Sequence, residues 1–173
     1  RLFMAFVGQD DDAGWLARMS DPAIVADTAQ WASPGRYQRD GLDGTLLAPF
    51  NLLPPLAAAI GWLILTHHRL PVYPGDPASF NIARLRLGLR AIDANWNEPR
   101  RDATPAEIAA YWDCTKGLPV HLPKWSQRAS KLALRWQGLQ QRNDKGGWLD
   151  NPYVMHVSRM ALMLADHHYS SLE

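Results

Sequence analysis

The chain has 173 residues, 47% of them hydrophobic and 20% charged, with a formal net charge of +1. Length and composition suit one globular domain with a sizeable core and exclude a disordered chain. The single cysteine, Cys114, excludes an intrachain disulfide and fits a reducing compartment; the longest apolar stretch, residues 52–65, is interrupted by Pro54-Pro55 and is too short to span a bilayer.

The small net charge hides an asymmetry. Residues 1–68 carry 4 basic and 7 acidic side chains, residues 69–150 carry 13 and 8, and residues 151–173 carry 1 and 2. Any contact with a polyanion is therefore expected in the middle of the chain. The opening residues, Arg1 to Gly8, read as the last turns of a helix stopped by glycine, not as a signal peptide. With no initiator methionine, the chain is expected to be cut from something larger.

Asp10-Asp11-Asp12 is expected to cap a short helix bearing Trp15, Leu16 and Met19. Asp21-Pro22 starts the next, with Ile24, Val25, Thr28 and Trp31 as its inner face. Residues 33–53 are rich in turn pairs and read as a loop. Pro54-Pro55 opens a central helix to about His68, in which Leu56, Ala59, Ile60, Leu63, Ile64 and His67 recur at three- and four-residue spacings. Pro71, Pro74 and Pro77 begin an extended linker, and residues 79–95 are expected to be helical, with a short strand at Arg84-Leu85-Arg86-Leu87 as the alternative.

Thr104-Pro105-Ala106-Glu107 is a capping box with proline at the first helical position. The helix it starts carries Ile108, Tyr111, Trp112 and Cys114 and is closed by Gly117 and Pro119. A helix over residues 123–142 follows, with Trp125, Ala129, Leu132, Trp136 and Leu139 as its apolar face. Lys124, Arg128, Lys131 and Arg135 stack as a basic line along one side. Asp144 to Gly147 breaks it; Asp150 or Asn151 caps a last helix running to about Ser171. The class is all-α.

Two stretches place imidazole and carboxylate where a purely structural helix would place leucine: Thr66-His67-His68-Arg69, and Leu164-Ala165-Asp166-His167-His168 near the end. These are donors that a borderline transition metal takes. His67 and His68, about 100° apart around a helix axis, can face one cavity. A plainer role is also open to them, because imidazole at a helix C-terminus favours the dipole. Asp166 follows an apolar run in which an unpaired buried carboxylate would be costly, though Ser170 or Arg159 could serve as its partner. His167 and His168 are expected at the edge of any site, and His121 and His156 as structural. From the residues alone, the reading ends at a helical domain with part of a metal site.

The order of motifs goes further. An apolar helix ending Leu65-Thr66-His67-His68-Arg69-Leu70-Pro71, a long insertion, then Leu164-Ala165-Asp166 with Ser170-Ser171, resembles the HD-type nuclease domain of the CRISPR-associated helicase-nuclease, most closely its type I-F form. The resemblance implies an HD-type helical bundle, here the C-terminal part of it and incomplete at its N-terminus, spanning 1–173 with 71–150 as a partly basic insertion between the ligand motifs. It implies two divalent transition-metal ions (Mn, Fe, Co or Ni), His67 and His68 ligating one and Asp166 the other. ATP and Mg would serve only a helicase part outside this chain. The family's other ligands, a His-Asp doublet and two histidines, have no counterpart before His67, so the chain alone is expected to be inactive.

The implied function is metal-dependent cleavage of single-stranded DNA in CRISPR interference; Lys124, Arg128, Lys131 and Arg135 could track phosphates with Trp125 and Trp136 stacking bases, or the line is simply a solvated face of a packed helix. The implied partners are single-stranded DNA, an RNA-guided surveillance complex, a fused helicase and adaptation subunit, and phage inhibitor proteins, in the cytoplasm and without a membrane. Two alternatives stand beside it: an HD-type nucleotide phosphohydrolase, and a non-catalytic helical interaction module.

Overall fold

The computed structural model describes residues 1–33, 35–39, 41–43, 52–68, 102–142 and 147–172. The expected linker after Pro71 and helix over 79–95 lie outside them. Among the described residues all regular structure is helical, and no helix is long and apolar enough to cross a membrane. The chain divides into two compact units, Arg1–Leu47 with Asp93–Arg142, and Ala48–Ile92 with Asn143–Glu173.

The first unit begins with α1 (Leu2–Val7), ended by Gly8 at φ 63°, whose N–H donates to Met4 O (2.9 Å). Helix α2 (Asp12–Met19) is capped by Asp11, which accepts from Gly14 N (2.7 Å). Asp12 accepts instead from the indole Nε1 of fully buried Trp15 (2.8 Å). The aspartate triplet thus acts as helix cap and indole partner, while Asp10 pairs with Arg18 at 2.7 Å.

The single helix expected after Asp21 is two. Helix α3 (Pro22–Ala26) ends where Asp27 leaves helical geometry (φ −80°, ψ 69°), and α4 (Thr28–Trp31) restarts beyond it. The bend folds Trp31 back, so that its Nε1–H donates to Val25 O (3.3 Å) and its ring meets the Phe6 ring edge-on, centroids 5.2 Å apart. Helix α5 (Pro55–Thr66) belongs to the second unit. Helix α6 (Pro105–Trp112) opens with the full capping box: Thr104 Oγ1 accepts from Glu107 N, and Glu107 Oε2 accepts from Thr104 N (2.7 Å). It stops before Cys114, which is exposed.

Helix α7 (Pro123–Arg142) packs on α2 and α3, but not by the face its apolar residues suggest. Ser126, Ser130 and Ala133 are the buried residues, whereas Trp125, Leu132 and Leu139 are 42%, 45% and 43% exposed. Small side chains let helix axes approach closely, and the hydroxyls lose nothing on burial: Ser130 Oγ–H donates to Ser126 O (2.9 Å) and Ser126 Oγ–H to Pro123 O (3.3 Å). Trp136 packs edge-on against Trp15, whose other neighbour is Phe3. His121, in the 3₁₀ turn Pro119–His121, is hydrogen-bonded to Thr28 Oγ1, the structural role expected of it.

In the second unit α5 packs against α8 (Pro152–Ser170), which Asn151 caps by accepting from Tyr153 N (3.0 Å). The buried residues of α5 are Leu56, Ala57, Gly61, Trp62 and Thr66; Ile64, expected inside, is exposed. A helix apolar on all sides has no preferred inner face in its sequence.

Candidate metal centre

Helix α5 ends at Thr66, so His67 and His68 project from its C-terminus. Thr66 is fully buried and its hydroxyl donates to Trp62 O (2.7 Å), which seats the last turn. His67 Nδ1 lies 2.7 Å from Ile64 O. A carbonyl oxygen only accepts, so Nδ1 carries the proton, and in the neutral ring Nε2 is then the acceptor. The two imidazole rings are 4.1 Å apart between centroids and tilted by 46°.

Asp166 lies on α8, and its Oδ2 is 3.0 Å from His68 Nε2. One donor atom from each of His67, His68 and Asp166 falls within 4.8 Å of the others, and among the described residues this is the cluster that could hold a metal ion. The apolar run that Asp166 follows does not bury it. Met155 is the buried residue of α8, and the Asp166 side chain is 42% exposed. Of the partners considered for it, Arg159 is engaged elsewhere, donating from Nε to Thr66 O (2.6 Å) and from Nη2 to His67 O (3.2 Å). His167 stands beside the cluster, its ring edge-on to His68 with centroids 5.7 Å apart.

Sequence reading missed the contacts of Arg159, though a signal was there. It precedes Asp166 by seven residues, about two helical turns, and so shares its face. His156 and His168 are exposed.

The basic line lies on α7, in the other unit, and all of Lys124, Arg128, Lys131 and Arg135 are exposed. The Arg128 guanidinium sits over the Trp125 ring, 5.4 Å from its centroid, which keeps this indole at the surface beside the charges. Trp136, paired with Trp15 in packing, is no longer a free platform for a base.

No family model matches the chain. Its similarity is to CRISPR-associated nuclease/helicases of subtype I-F, the class that the order of motifs resembles. Over 99% of its length it is 44% identical to the CRISPR-associated nuclease/helicase Cas3 subtype I-F/YPEST of Pseudomonas aeruginosa (strain UCBPP-PA14). Over the same share it is 35% identical to the protein of that name from Pectobacterium atrosepticum (strain SCRI 1043). The chain spans 16% of the length of each relative.

Proposed function

We propose that the chain supplies part of the metal centre of an HD-type nuclease module that cuts single-stranded DNA in CRISPR interference. The observation that carries this reading is the convergence of His67, His68 and Asp166 within 4.8 Å, in a chain similar to nuclease/helicases along almost its whole length.

The donor set fits the group the reading requires. Two imidazole nitrogens and a carboxylate suit Mn²⁺, Fe²⁺, Co²⁺ or Ni²⁺ better than Mg²⁺ or Ca²⁺, which favour oxygen alone. The hydrogen bond to Ile64 O already fixes the tautomer in which His67 Nε2 can coordinate. The reading requires two ions: His67 and His68 would hold one, and Asp166 would supply carboxylate oxygen to the other. Further donors for that second ion would come from outside the described residues. When bound, such ions lower the pKa of water and stabilise charge on a phosphodiester oxygen.

The chain's own residues do the holding and the orienting. His68 Nε2 and Asp166 Oδ2 lie 3.0 Å apart, so the imidazole and the carboxylate already face each other. On the other unit, the row from Lys124 to Arg135 offers four exposed cations to a phosphate backbone, and Trp125 a partly exposed aromatic beside them. The helicase, the adaptation subunit and the surveillance complex are the partners this reading implies, in the cytoplasm, with phage inhibitors as antagonists.

A second reading has its own observation. The half-exposed stripe Trp125–Leu132–Leu139 is also what a helical docking face presents. The deciding experiment uses a polypeptide of the relatives' full length that contains this chain. Single-stranded DNA should be degraded with Mn²⁺, Co²⁺, Ni²⁺ or Fe²⁺, and a chelator should abolish the activity. Turnover of free nucleotides with intact DNA would favour the phosphohydrolase, and no bound transition metal would favour the docking module.

A further inference from the structure

The backbone that carries the imidazole pair takes hydrogen bonds from a side chain on another helix. Carbonyls in the last turn of a helix lack the amide four residues on. For His67 O that amide would belong to residue 71, a proline, which has no N–H to give. Arg159 donates to both carbonyls from α8, with Nε–H on Thr66 O at 2.6 Å and Nη2–H on His67 O at 3.2 Å.

The placement matters as much as the bonds. Arg159 and Asp166 lie on one face of α8, roughly 10 Å apart along its axis. The end of α5 is therefore attached to α8 at two levels, by its carbonyls at Arg159 and by the His68 ring at Asp166. A guanidinium is a planar, rigid fork, so two bonds to successive carbonyls fix rotation as well as distance. We propose that Arg159 is a positioning residue of the metal centre, setting the height and rotation of the His67–His68 backbone against Asp166 and thereby its affinity for a divalent transition ion. The proposal rests on the metal-centre reading above.

Electrostatics and positioning predict opposite signs. A cation near a metal site repels the ion, so removing the Arg159 charge should tighten binding if charge were its only effect. Positioning predicts weaker binding. The test is a Co²⁺ titration of the nucleotide-free full-length polypeptide, followed by calorimetry and by the visible absorption of bound cobalt. It compares the wild type with Arg159→Met, Arg159→Lys and Asp166→Ala.

Arg159→Met should bind roughly 10–100-fold more weakly, the usual cost of losing a group that orients a ligand. Its cobalt band should shift. Arg159→Lys, which keeps the charge and one donor but not the fork, should recover part of that loss. Wild-type or tighter affinity in Arg159→Met, or no recovery in Arg159→Lys, overturns the proposal while loss in Asp166→Ala leaves the metal centre standing. If Asp166→Ala binds cobalt like the wild type, the metal-centre reading falls first. Should Arg159→Met fail to fold, Arg159→Lys decides alone: wild-type affinity with an unshifted band overturns the role.

Discussion

Replacing Asp166 by alanine should separate stability from metal binding, because the carboxylate is partly exposed and, on the metal-centre reading proposed above, a donor to the ion. The His68–Asp166 pair is 57% and 42% exposed, so water screens it and it contributes at most about 1 kcal/mol to folding. Alanine in a helix interior is favoured over aspartate by up to ~0.7 kcal/mol, which offsets most of that. Folded stability should therefore move by less than about 1 kcal/mol, and the melting temperature hardly at all.

Metal affinity is another matter. Groups that merely orient a ligand are worth 10–100-fold, and Asp166 is itself one of three converging donors. Its loss should cost at least about 100-fold, or ~2.7 kcal/mol at 1.36 kcal/mol per decade. Calorimetric titration with Mn²⁺ or Co²⁺, alongside thermal unfolding of the same metal-free protein, measures both. An affinity within threefold of wild type would refute the placement of Asp166 among the ligands. A large drop in melting temperature would show that the carboxylate serves the fold instead.

Charge reversal at Arg128, Lys131 and Arg135 should weaken single-strand binding and flatten its dependence on salt, because each lost phosphate contact releases fewer counterions; metal affinity should not change. Unaltered affinity and salt slope would leave the row as a solvated helix face. Trp15→Ala should cost about 3–5 kcal/mol, as for other buried large aromatics, since Trp15 is fully buried between Phe3 and Trp136; chemical denaturation reads this directly. The start of α6 should loosen in acid. The bonds from the Thr104 backbone N–H and then its hydroxyl hold the Glu107 carboxyl below its ordinary range, so the stabilisation is complete above the unfolded value of about 4.3 and is lost as pH falls through the lower folded value. Amide exchange at residues 107 and 108 should follow that course, and Glu107→Gln should remove the pH dependence.

Local signals in the sequence were sufficient wherever the energetics are local. Asp11, Asp21, Thr104 and Asn151 cap helices because a side-chain oxygen reaches an amide two or three residues away, and no distant residue need be known. Gly8 ends α1 by an equally local device, a positive φ that glycine adopts without a Cβ penalty. The all-α class follows from such signals and from helical spacing. The order of the His-His and Ala-Asp motifs was enough to point to relatives that the whole chain resembles.

Tertiary structure decided which faces are used. On α7 the apolar residues named Trp125, Leu132 and Leu139 as the inner side, but α2 and α3 meet Ser126, Ser130 and Ala133, because small residues that bond their own backbone can be buried at closer range. On α5 uniform hydrophobicity left the direction open, and packing against α8 chose Trp62 and Thr66 over Ile64. Asp166 follows an apolar run, yet that stretch of α8 is largely exposed. The sequence could name His67, His68 and Asp166, residues nearly a hundred positions apart, but only the packing of α5 on α8 brings their donors within 4.8 Å. Arg159 belongs to that second class: its spacing from Asp166 was legible, but its bonds go to backbone carbonyls, and which carbonyls these are is decided only when two helices are placed side by side.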